Sequence, residues 1–248
     1  MLAATEHRLT FGIDGRKCVT LSPLTGTAER VAGGDAQALL RTLMGAGSGD
    51  ESLADRLTVG DRDRLLAEIY GDLYGWDVLG DARCGNCQAR FELRFSLGAM
   101  LRGRQPDGTG ADGTVKVGEA RLRLPRVADR ADDPDAFLRL LKISGDSPPL
   151  AEAEAALEAA DPALVLDLKG TCPECASVQT LPFSICGFLG AALARDHRFL
   201  LREAHLIART YSWGLESILS LTRQERQEFV RLILAEQGAA QPRVRGVS

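Results

Sequence analysis

Four cysteines, arranged as two Cys-x-x-Cys pairs, are the residues of this chain whose type and spacing point most directly to chemistry. They are Cys84 and Cys87 in the stretch CGNC, and Cys172 and Cys175 in the stretch CPEC. Two residues between cysteines allow one tight turn to direct both sulfurs at a common point, and a second such turn completes a tetrahedral shell. Because four protein thiolates leave no position for water or substrate, the pattern predicts one structural Zn²⁺ ion.

The separation between the two pairs is unusual for a zinc site. Residues 88–171 lie between them, whereas a zinc ribbon usually has roughly 15–20 residues between its pairs. Closing a loop of this size costs roughly 4–5 kcal/mol in chain entropy. A structural zinc site supplies on the order of 10–16 kcal/mol, so zinc binding remains favourable despite the long insertion.

Redox chemistry and disulfide bonds are the alternatives for these cysteines. A thioredoxin-like redox site needs only one pair, at a turn from strand to helix, but here each pair runs into a strand-like stretch. Two disulfides would require an oxidising compartment, and the N-terminal sequence MLAATEHRLTFG lacks the features of a secretory signal. We therefore expect a cytoplasmic protein. The remaining cysteines, Cys18 and Cys186, are expected to be small buried apolar side chains.

The sequence around the cysteine pairs repeats at a fixed offset of 88 positions. Besides the cysteines, the identical positions are Leu93/Leu181, Phe95/Phe183, Ser96/Ser184 and Leu101/Leu189. Each copy contains a cysteine pair, a stretch that alternates as a β-strand does, and Phe-Ser at the start of an apolar helical run. The repeat predicts one supersecondary unit used twice. Gln88 and Ala176 follow the pairs at positions where a left-handed turn would more easily take glycine.

The rest of the chain predicts an α+β fold around these two units. Alternating apolar residues around Asp14-Gly15 indicate an N-terminal β-hairpin, and Asp35 is expected to cap a helix that ends at Gly45. Helical periodicity covers residues 61–75, before the first cysteine pair. The long helical pattern after the second pair could break near Asp196-His197.

The last helix within this pattern has a recognisable N-terminal signal. Thr222 and Glu225 have the spacing of a capping box for the last helix. The apolar face of that helix is expected to be formed by Phe229, Leu232, Ile233 and Leu234.

Taken together, these sequence patterns divide the chain into four predicted regions. They are an N-terminal strand and helix region, 1–83; a duplicated zinc-knuckle region, 84–189, with an α/β insertion at 103–171; a C-terminal helical module, 190–240; and a flexible tail, 241–248. We expect a zinc ribbon built from two Cys-x-x-Cys knuckle hairpins, flanked by small α/β elements.

Composition is ordinary for a globular protein and argues against several functions. Hydrophobic residues make up 45% of the 248 positions and charged residues 26%, and no apolar run approaches the ~20 residues of a membrane helix. The net charge is −4, with ten acidic and three basic residues in 129–168, and nine basic and six acidic residues in 192–248. Nucleic-acid binding depends on clustered positive charge, and the basic residues here are spread along helical faces.

No catalytic constellation or phosphate-binding loop is present in the sequence, so we expect neither catalysis nor a small-molecule substrate.

Four stretches of the chain, taken in order, carry a family resemblance. They are SPLTGTAE, LTVGDRDRLLAEIYGDLYG, the CGNC and CPEC pairs with their Phe-Ser followers, and REAHLIARTYSWGLESILSLTRQERQEFVRLI. Together they resemble the zinc-knuckle baseplate proteins of contractile-tailed phages and phage-like contractile injection systems, which are related to the T-even phage baseplate hub assembly proteins. The chain departs from the glycine commoner in that family at Gln88, Ala176 and Ser212.

The resemblance implies a non-enzymatic role in a baseplate, through contacts with hub or wedge proteins, either as an assembly factor or as a component incorporated in a phage-like particle. We expect Tyr211 and Trp213 to anchor the C-terminal helical corner. Trp213 is either buried against the last helix, as large aromatic residues at such corners usually are, or exposed as a partner-binding residue.

The main alternative function for the chain is that of a zinc-ribbon nucleic-acid-binding or transcription accessory protein. A third possible function is that of a redox or hydrolytic metalloenzyme.

Overall fold

The computed structural model describes residues 4–239 and has an α+β fold, as the sequence predicts. The strands are β1 (Thr5–Ile13), β2 (Arg16–Leu21), β3 (Asp77–Arg83), β4 (Arg90–Ser96), β5 (Thr114–Val117), β6 (Ala120–Arg123), β7 (Lys142–Ser144), β8 (Val165–Thr171) and β9 (Val178–Ser184). The helices are α1 (Gly26–Ala32), α2 (Ala36–Ser48), α3 (Val59–Tyr74), α4 (Leu97–Gly103), α5 (Pro134–Leu141), α6 (Leu150–Ala160), α7 (Ile185–Tyr211), α8 (Leu215–Ser220) and α9 (Arg223–Ala239). Within the described residues the strands form small antiparallel sheets, β1-β2, β3-β4, β5-β6-β7 and β8-β9. The predicted tail, 241–248, lies outside those residues.

The second helix begins where the sequence predicts but ends later. Asp35 caps α2, because its carboxylate accepts two hydrogen bonds from backbone N–H groups of the first turn. The predicted end at Gly45 is wrong, since α2 continues to Ser48 and is followed by Gly49, which has the left-handed conformation typical of a helix end. Gly45 instead allows close packing, because a Cβ atom there would lie 2.6 Å from the Cγ atom of Glu51 in the following 3-10 helix.

The main hydrophobic core is shared by elements from distant parts of the chain. Leu21 of β2, Leu40 of α2, Leu66 of α3 and Leu189 of α7 all belong to it and are fully buried. Because α7 packs against α1, α2 and α3, the segments before and after the predicted insertion form one folded unit.

The predicted insertion has a second, smaller core. The sheet β5-β6-β7 packs against α6, and α6 packs against α5. The buried side chains of this core are Val115, Val117, Leu122, Leu124, Leu138, Ala153 and Ala160.

A buried carboxylate joins the insertion to the main core. Asp161, immediately after α6, accepts a hydrogen bond of 2.9 Å from the backbone N–H of Gly60 and one of 3.1 Å from Arg64. Its side chain is only 1% exposed. Gly60 lies in the first turn of α3, where backbone N–H groups have no helical partner and attract negative charge. The contact therefore provides a partner for the helix end and fixes α6 beside α3.

Because Asp161 lies so close to Gly60, we expect that position 60 requires glycine. A Cβ atom on Gly60 would lie 1.9 Å from Oδ1 of Asp161, so Gly60→Ala must displace the buried carboxylate. We expect a loss of about 1–3 kcal/mol in the free energy of unfolding, measured by chemical denaturation. Gly103→Ala is the matched control, because a Cβ atom at the end of α4 meets nothing within 4 Å. Equal stability of the two variants would contradict the proposed packing.

The C-terminal part of the fold is built on one long helix. α7 contains 27 residues without interruption, so the break considered near Asp196-His197 is absent. The predicted capping box is confirmed at the start of α9: the backbone N–H of Thr222 donates to Glu225 at 2.7 Å, and the backbone N–H of Glu225 donates to Thr222 Oγ1 at 3.3 Å. None of the helices in the described part of the chain has the length and hydropathy needed to cross a membrane.

The predicted apolar face of α9 is only partly correct. Ile233 is buried and Phe229 is half-buried, but Leu232 and Leu234 are exposed. The inward stripe of α9 instead continues through Arg226, which is 1% exposed. An arginine can take this position because carboxylates of other helices surround it.

Those carboxylates and two arginines form what we call the ion-pair network, which attaches α9 to the rest of the protein. Arg226 donates to Glu29 of α1 at 2.6 Å and to Glu203 of α7 at 3.0 Å. Arg223 donates to the second oxygen of Glu29 at 2.8 Å and to Asp196 of α7 at 3.1 Å. The third guanidinium nitrogen of Arg226 donates to a backbone carbonyl at 2.8 Å. The buried charges are therefore paired, which is the condition under which such burial is tolerated.

Tyr74 of α3 also belongs to the network, and its ionisation is expected to lower the stability of the folded state at high pH. Its hydroxyl donates to Asp196 at 2.9 Å, and burial raises the pKa of Tyr74 to about 12. Since the unfolded chain ionises near pH 10, the folded state loses stability as the pH rises from about 10 through about 12. In an absorbance titration of tyrosinate, Tyr74→Phe is expected to remove the step near pH 12. Survival of that step in the variant would contradict the assignment.

Candidate metal centre

The two cysteine pairs lie at the tips of two equivalent β-hairpins. The first hairpin pairs Asp77–Arg83 with Arg90–Ser96, and the second pairs Val165–Thr171 with Val178–Ser184. Every one of these bounds is displaced by the same 88 positions that separate the sequence repeats. The predicted supersecondary unit is therefore confirmed, because both hairpins have the same strand lengths and the same pairing register.

The start of the helix after each hairpin is equivalent as well. Ser96 caps α4 by accepting a hydrogen bond from the backbone N–H of Ala99, and Ser184 caps α7 in the same way through Gly187. Serine is a preferred N-cap residue because its hydroxyl replaces a missing helical acceptor. The repeated Phe-Ser thus marks the point where each strand turns into a helix.

The two hairpins pack against each other through their apolar faces. Phe95 and Phe183, which are equivalent in the repeat, meet edge to face with their ring centroids 5.2 Å apart. Nearer the cysteines, a Cβ atom on Gly170 would lie 3.0 Å from the Leu93 side chain, so glycine permits the close approach. This packing aligns the hairpins and brings their tips together.

The four cysteine sulfurs form one compact cluster. All four Sγ atoms lie within 4.8 Å of one another. Across the two hairpins, Cys84 and Cys175 have sulfurs 3.6 Å apart, and Cys87 and Cys172 have sulfurs 3.7 Å apart. In a tetrahedral site with metal–sulfur bonds of about 2.3 Å, neighbouring sulfurs lie about 3.8 Å apart. The cluster therefore fits one metal ion, and it places all four cysteines predicted from the sequence together.

The backbone around each pair is shaped to present its sulfurs. Gln88 and Ala176 have positive φ angles of 63° and 57°, so the expected left-handed turns form without glycine. In the first turn, the backbone N–H groups of Asn86 and Cys87 point to the sulfur of Cys84 at 3.4 and 3.5 Å. These donors stabilise a thiolate, the form in which cysteine binds a metal.

Side chains around the cluster add further donors that the sequence did not single out. The hydroxyl of Ser177 lies 3.3 Å from the sulfur of Cys84 and 3.1 Å from that of Cys175, so it links the two hairpins. Gln179 donates to Ser177 at 2.7 Å and accepts from the backbone N–H of Gly85 at 2.8 Å. Such outer residues orient metal ligands. Their only sequence signal is their place directly after the second pair.

The pKa values of Cys84, Cys87 and Cys175 are shifted in different directions by their surroundings. Hydrogen bonds from the side chain and backbone of Ser177 lower the pKa of Cys175 to about 6. The Ser177 hydroxyl also lowers the pKa of Cys84. At Cys87, the backbone N–H of Ala89 favours the thiolate, but the neighbouring sulfurs outweigh it and raise the pKa to about 12. A cation bound between the sulfurs would relieve this repulsion, so metal binding and loss of thiol protons are coupled.

All six cysteines are free thiols, and none forms a disulfide. Within the cluster Cys84 and Cys172 are buried, whereas Cys87 is exposed. The expected burial of the other two is not found: Cys18 is exposed because it lies on the outer face of the N-terminal hairpin, and Cys186 is half-buried.

Tyr211 packs against a separate small core at the end of α7, and Trp213 lies beside Tyr211 at the edge of that core. Their rings contact each other at 5.4 Å, and the Trp213 ring meets Phe229 of α9 edge to face at 5.1 Å. Ser212 between them has a positive φ of 57° and turns the chain. Of the two alternatives for Trp213, the structure favours exposure, because the residue is 39% exposed although its ring contacts the last helix. Its role in binding a partner stays a prediction.

Comparison of the chain with family models, curated proteins and solved structures finds no significant match. The function proposed below therefore rests on the geometry of the cysteine cluster and on the resemblance of the sequence motifs.

Proposed function

We propose that this protein is a non-enzymatic scaffold whose two knuckle hairpins are held together by one structural Zn²⁺ ion. The observation that carries the proposal is the cluster of four sulfurs, two from each hairpin, at the spacing of a tetrahedral shell. Four thiolates fill the coordination sphere of zinc and leave no position for a substrate or a reactive water. An ion bound there would act as a cross-link.

Zinc suits this set of ligands better than most other ions. Thiolates are soft ligands, and a tetrahedral set of four sulfurs is typical of zinc or of iron–sulfur chemistry. Zinc has no redox chemistry of its own, which matches a purely structural role. The hydrogen-bond donors at Cys84 and Cys175 would stabilise the negative charge that the four thiolates carry.

The position of the site explains what a cross-link would achieve. The first hairpin leads into α4 and the insertion, and the second leads out of the insertion into α7. Binding one ion between the hairpin tips closes the chain around the insertion, and the two flanking segments already share the main core. The result would be a rigid platform for attaching other proteins.

The setting in which this scaffold acts is proposed from the sequence resemblance. The ordered motifs resemble zinc-knuckle baseplate proteins of contractile tails, so we propose that the chain assembles or occupies a baseplate through contacts with hub or wedge proteins. Exposed Trp213 beside Tyr211 supports a contact at the C-terminal corner, since tryptophan and tyrosine are enriched at interface hot spots.

Affinity purification from the cells that make the protein tests this setting. A tagged chain is expected to retain tail-tube, sheath, spike or hub proteins after nuclease treatment, and Trp213→Ala is expected to weaken that retention while the purified variant remains folded by circular dichroism. Recovery of RNA polymerase subunits or nucleic acid in place of tail proteins would support the rival nucleic-acid function and contradict the baseplate role.

A further inference from the structure

The outer face of α7 carries a continuous line of basic side chains, which we call the basic face. It consists of Arg195, Arg198, Arg202, His205 and Arg209, all exposed. Their spacing of three or four residues places them on one side of a helix. The residues of α7 that enter the core, such as Leu200, Ala204 and Ile207, are buried on the opposite side. The sequence suggested a spread of positive charge, whereas the fold aligns it.

Most of the arginines on the basic face have no acidic partner within the described part of the chain. Arg195 pairs with the neighbouring Asp196, which already bonds to the ion-pair network. No carboxylate among residues 4–239 lies within ion-pair distance of Arg198, Arg202 or Arg209. The acidic residues of α7 point inwards to α9 instead. The basic face therefore has charge available for a partner.

Two large apolar side chains flank the basic face. Phe199 and Leu201 are 45% and 56% exposed, one on each side of the arginine line. The Arg198 guanidinium lies 4.8 Å from the centre of the Phe199 ring. Arginine together with aromatic residues is typical of protein–protein interfaces, whereas lysine is depleted there.

A surface of opposite charge lies on the insertion, and we call it the acidic cleft. It is an open groove of about 390 Å³ between α5 and α6. Its walls are apolar, with Phe137, Leu141, Leu150 and Leu157 among the lining side chains. The groove is large enough to receive a bulky apolar side chain of a partner.

Several carboxylates lie at or near this groove. Glu154 and Glu158 line it, and exposed Asp132, Asp133 and Asp135 neighbour Pro134, which also lines it. Of these, Glu158 pairs with Arg104. The acidic cleft therefore combines an apolar floor with a negative rim, which complements the basic face with its apolar flanks.

We propose that the basic face of one molecule binds the acidic cleft of a second copy of this chain. The two surfaces belong to different parts of the fold, because the cleft lies in the core of the insertion and the basic face on the far side of α7 from the main core. Neither α5 nor α6 packs substantially on α7. Opposite charges on separate surfaces of one molecule are satisfied when copies associate head to tail.

A protein partner fits the basic face better than a nucleic acid. Phosphate backbones are bound by dense positive charge, but this chain is acidic overall, with a net charge of −4. A molecule of the same kind supplies the matching carboxylates and the apolar groove at once. Head-to-tail contacts use two different surfaces, so they produce closed rings or open filaments rather than twofold dimers. The inference does not rest on the baseplate role, since it concerns the purified chain alone.

Sedimentation velocity of the full, zinc-loaded chain tests the inference. Association is expected to increase with protein concentration at low ionic strength (~0.05 M) and to weaken at ~0.5 M, where exposed charges are screened. Arg198→Glu/Arg202→Glu and Asp135→Arg/Glu154→Arg are each expected to weaken self-association at least about tenfold, because like charges then face each other. Arg8→Glu/Arg94→Glu, which reverses two exposed arginines elsewhere, is the matched control and should associate as the original chain does.

Mixing the two interface variants gives the decisive comparison. Each variant alone should associate much more weakly than the original chain, but an equimolar mixture should regain association. In the mixture the unchanged cleft of one variant can bind the unchanged basic face of the other, and the two reversed surfaces are also complementary. Circular dichroism and melting temperature establish that both remain folded. A monomeric original chain at every concentration and salt would overturn the proposal, as would a mixture that stays monomeric. Binding of short duplex DNA or anionic vesicles through Arg198 and Arg202, without self-association, would also overturn it and assign the basic face to that ligand.

Discussion

Replacing Cys172 by serine is expected to abolish stoichiometric metal binding and to unfold the two hairpins. Cys172 is a buried member of the sulfur cluster. Serine keeps the shape of the side chain but is not ionised at neutral pH, so it removes one of four thiolate ligands. A structural zinc site contributes on the order of 10–16 kcal/mol, which is comparable with the whole stability of a domain, about 5–15 kcal/mol. We therefore expect a large fall in melting temperature.

Metal analysis and thermal unfolding measure this effect. Cys18→Ser is the matched control, because Cys18 is an exposed thiol outside the cluster, and its replacement should change stability by no more than about 0.5 kcal/mol. Treatment of the original chain with a strong chelator should reproduce the Cys172→Ser phenotype. A Cys172→Ser protein that keeps its melting temperature and its metal would contradict a structural role for the cluster.

Replacing Arg226 by methionine is expected to cost about 3–5 kcal/mol in the free energy of unfolding. Methionine preserves the length of the side chain but removes the charge that bridges Glu29 and Glu203. Both carboxylates are largely buried, and Glu203 is left without its arginine. The cost is therefore mainly that of uncompensated buried charge, and it should loosen the attachment of α9 to α1 and α7.

An exposed arginine of the same helix supplies the control. Arg231 pairs with Glu228 at 2.6 Å, but both side chains are more than half exposed. Exposed pairs contribute little, so Arg231→Met should change the free energy of unfolding by no more than about 0.5 kcal/mol. Both variants can be compared by denaturant titration. Equal effects at positions 226 and 231 would show that burial of the network does not matter.

The metal site could be predicted from the sequence because all of its information is local and repeated. Each cysteine pair fits one tight turn, and the fixed offset of 88 positions carries over to the strand bounds and to the caps at Ser96 and Ser184. The position of Gln88 and Ala176 also indicated the left-handed turns that form there. Which residues surround the sulfurs could not be predicted, because Ser177 and Gln179 act across the hairpins.

The ion-pair network was not predicted, and the reason is its dependence on distant partners. Arg226 and Glu29 are separated by almost the whole chain, and an arginine in a helix is usually a surface residue. Its spacing from Phe229 and Ile233 was a usable signal, because positions 226, 229 and 233 share one helical face. Leu232 and Leu234 were assigned to that face by their hydrophobicity, although their positions place them towards solvent.

The exposed Trp213 shows a similar limit of sequence reasoning. An aromatic residue at a helix corner usually packs, and Trp213 does contact Tyr211 and Phe229. The corner is built at the edge of a small core, however, so part of the side chain stays exposed. Local sequence indicates the contact but not the number of neighbours available to cover the rest of the ring.

X-ray absorption spectroscopy of the purified chain, combined with quantification of its metal content, identifies the ion and its ligands directly. We expect one zinc ion per chain, bound by four sulfur atoms at about 2.3 Å. A protein that folds without stoichiometric metal, or a zinc shell that includes water, nitrogen or oxygen ligands, would contradict this expectation.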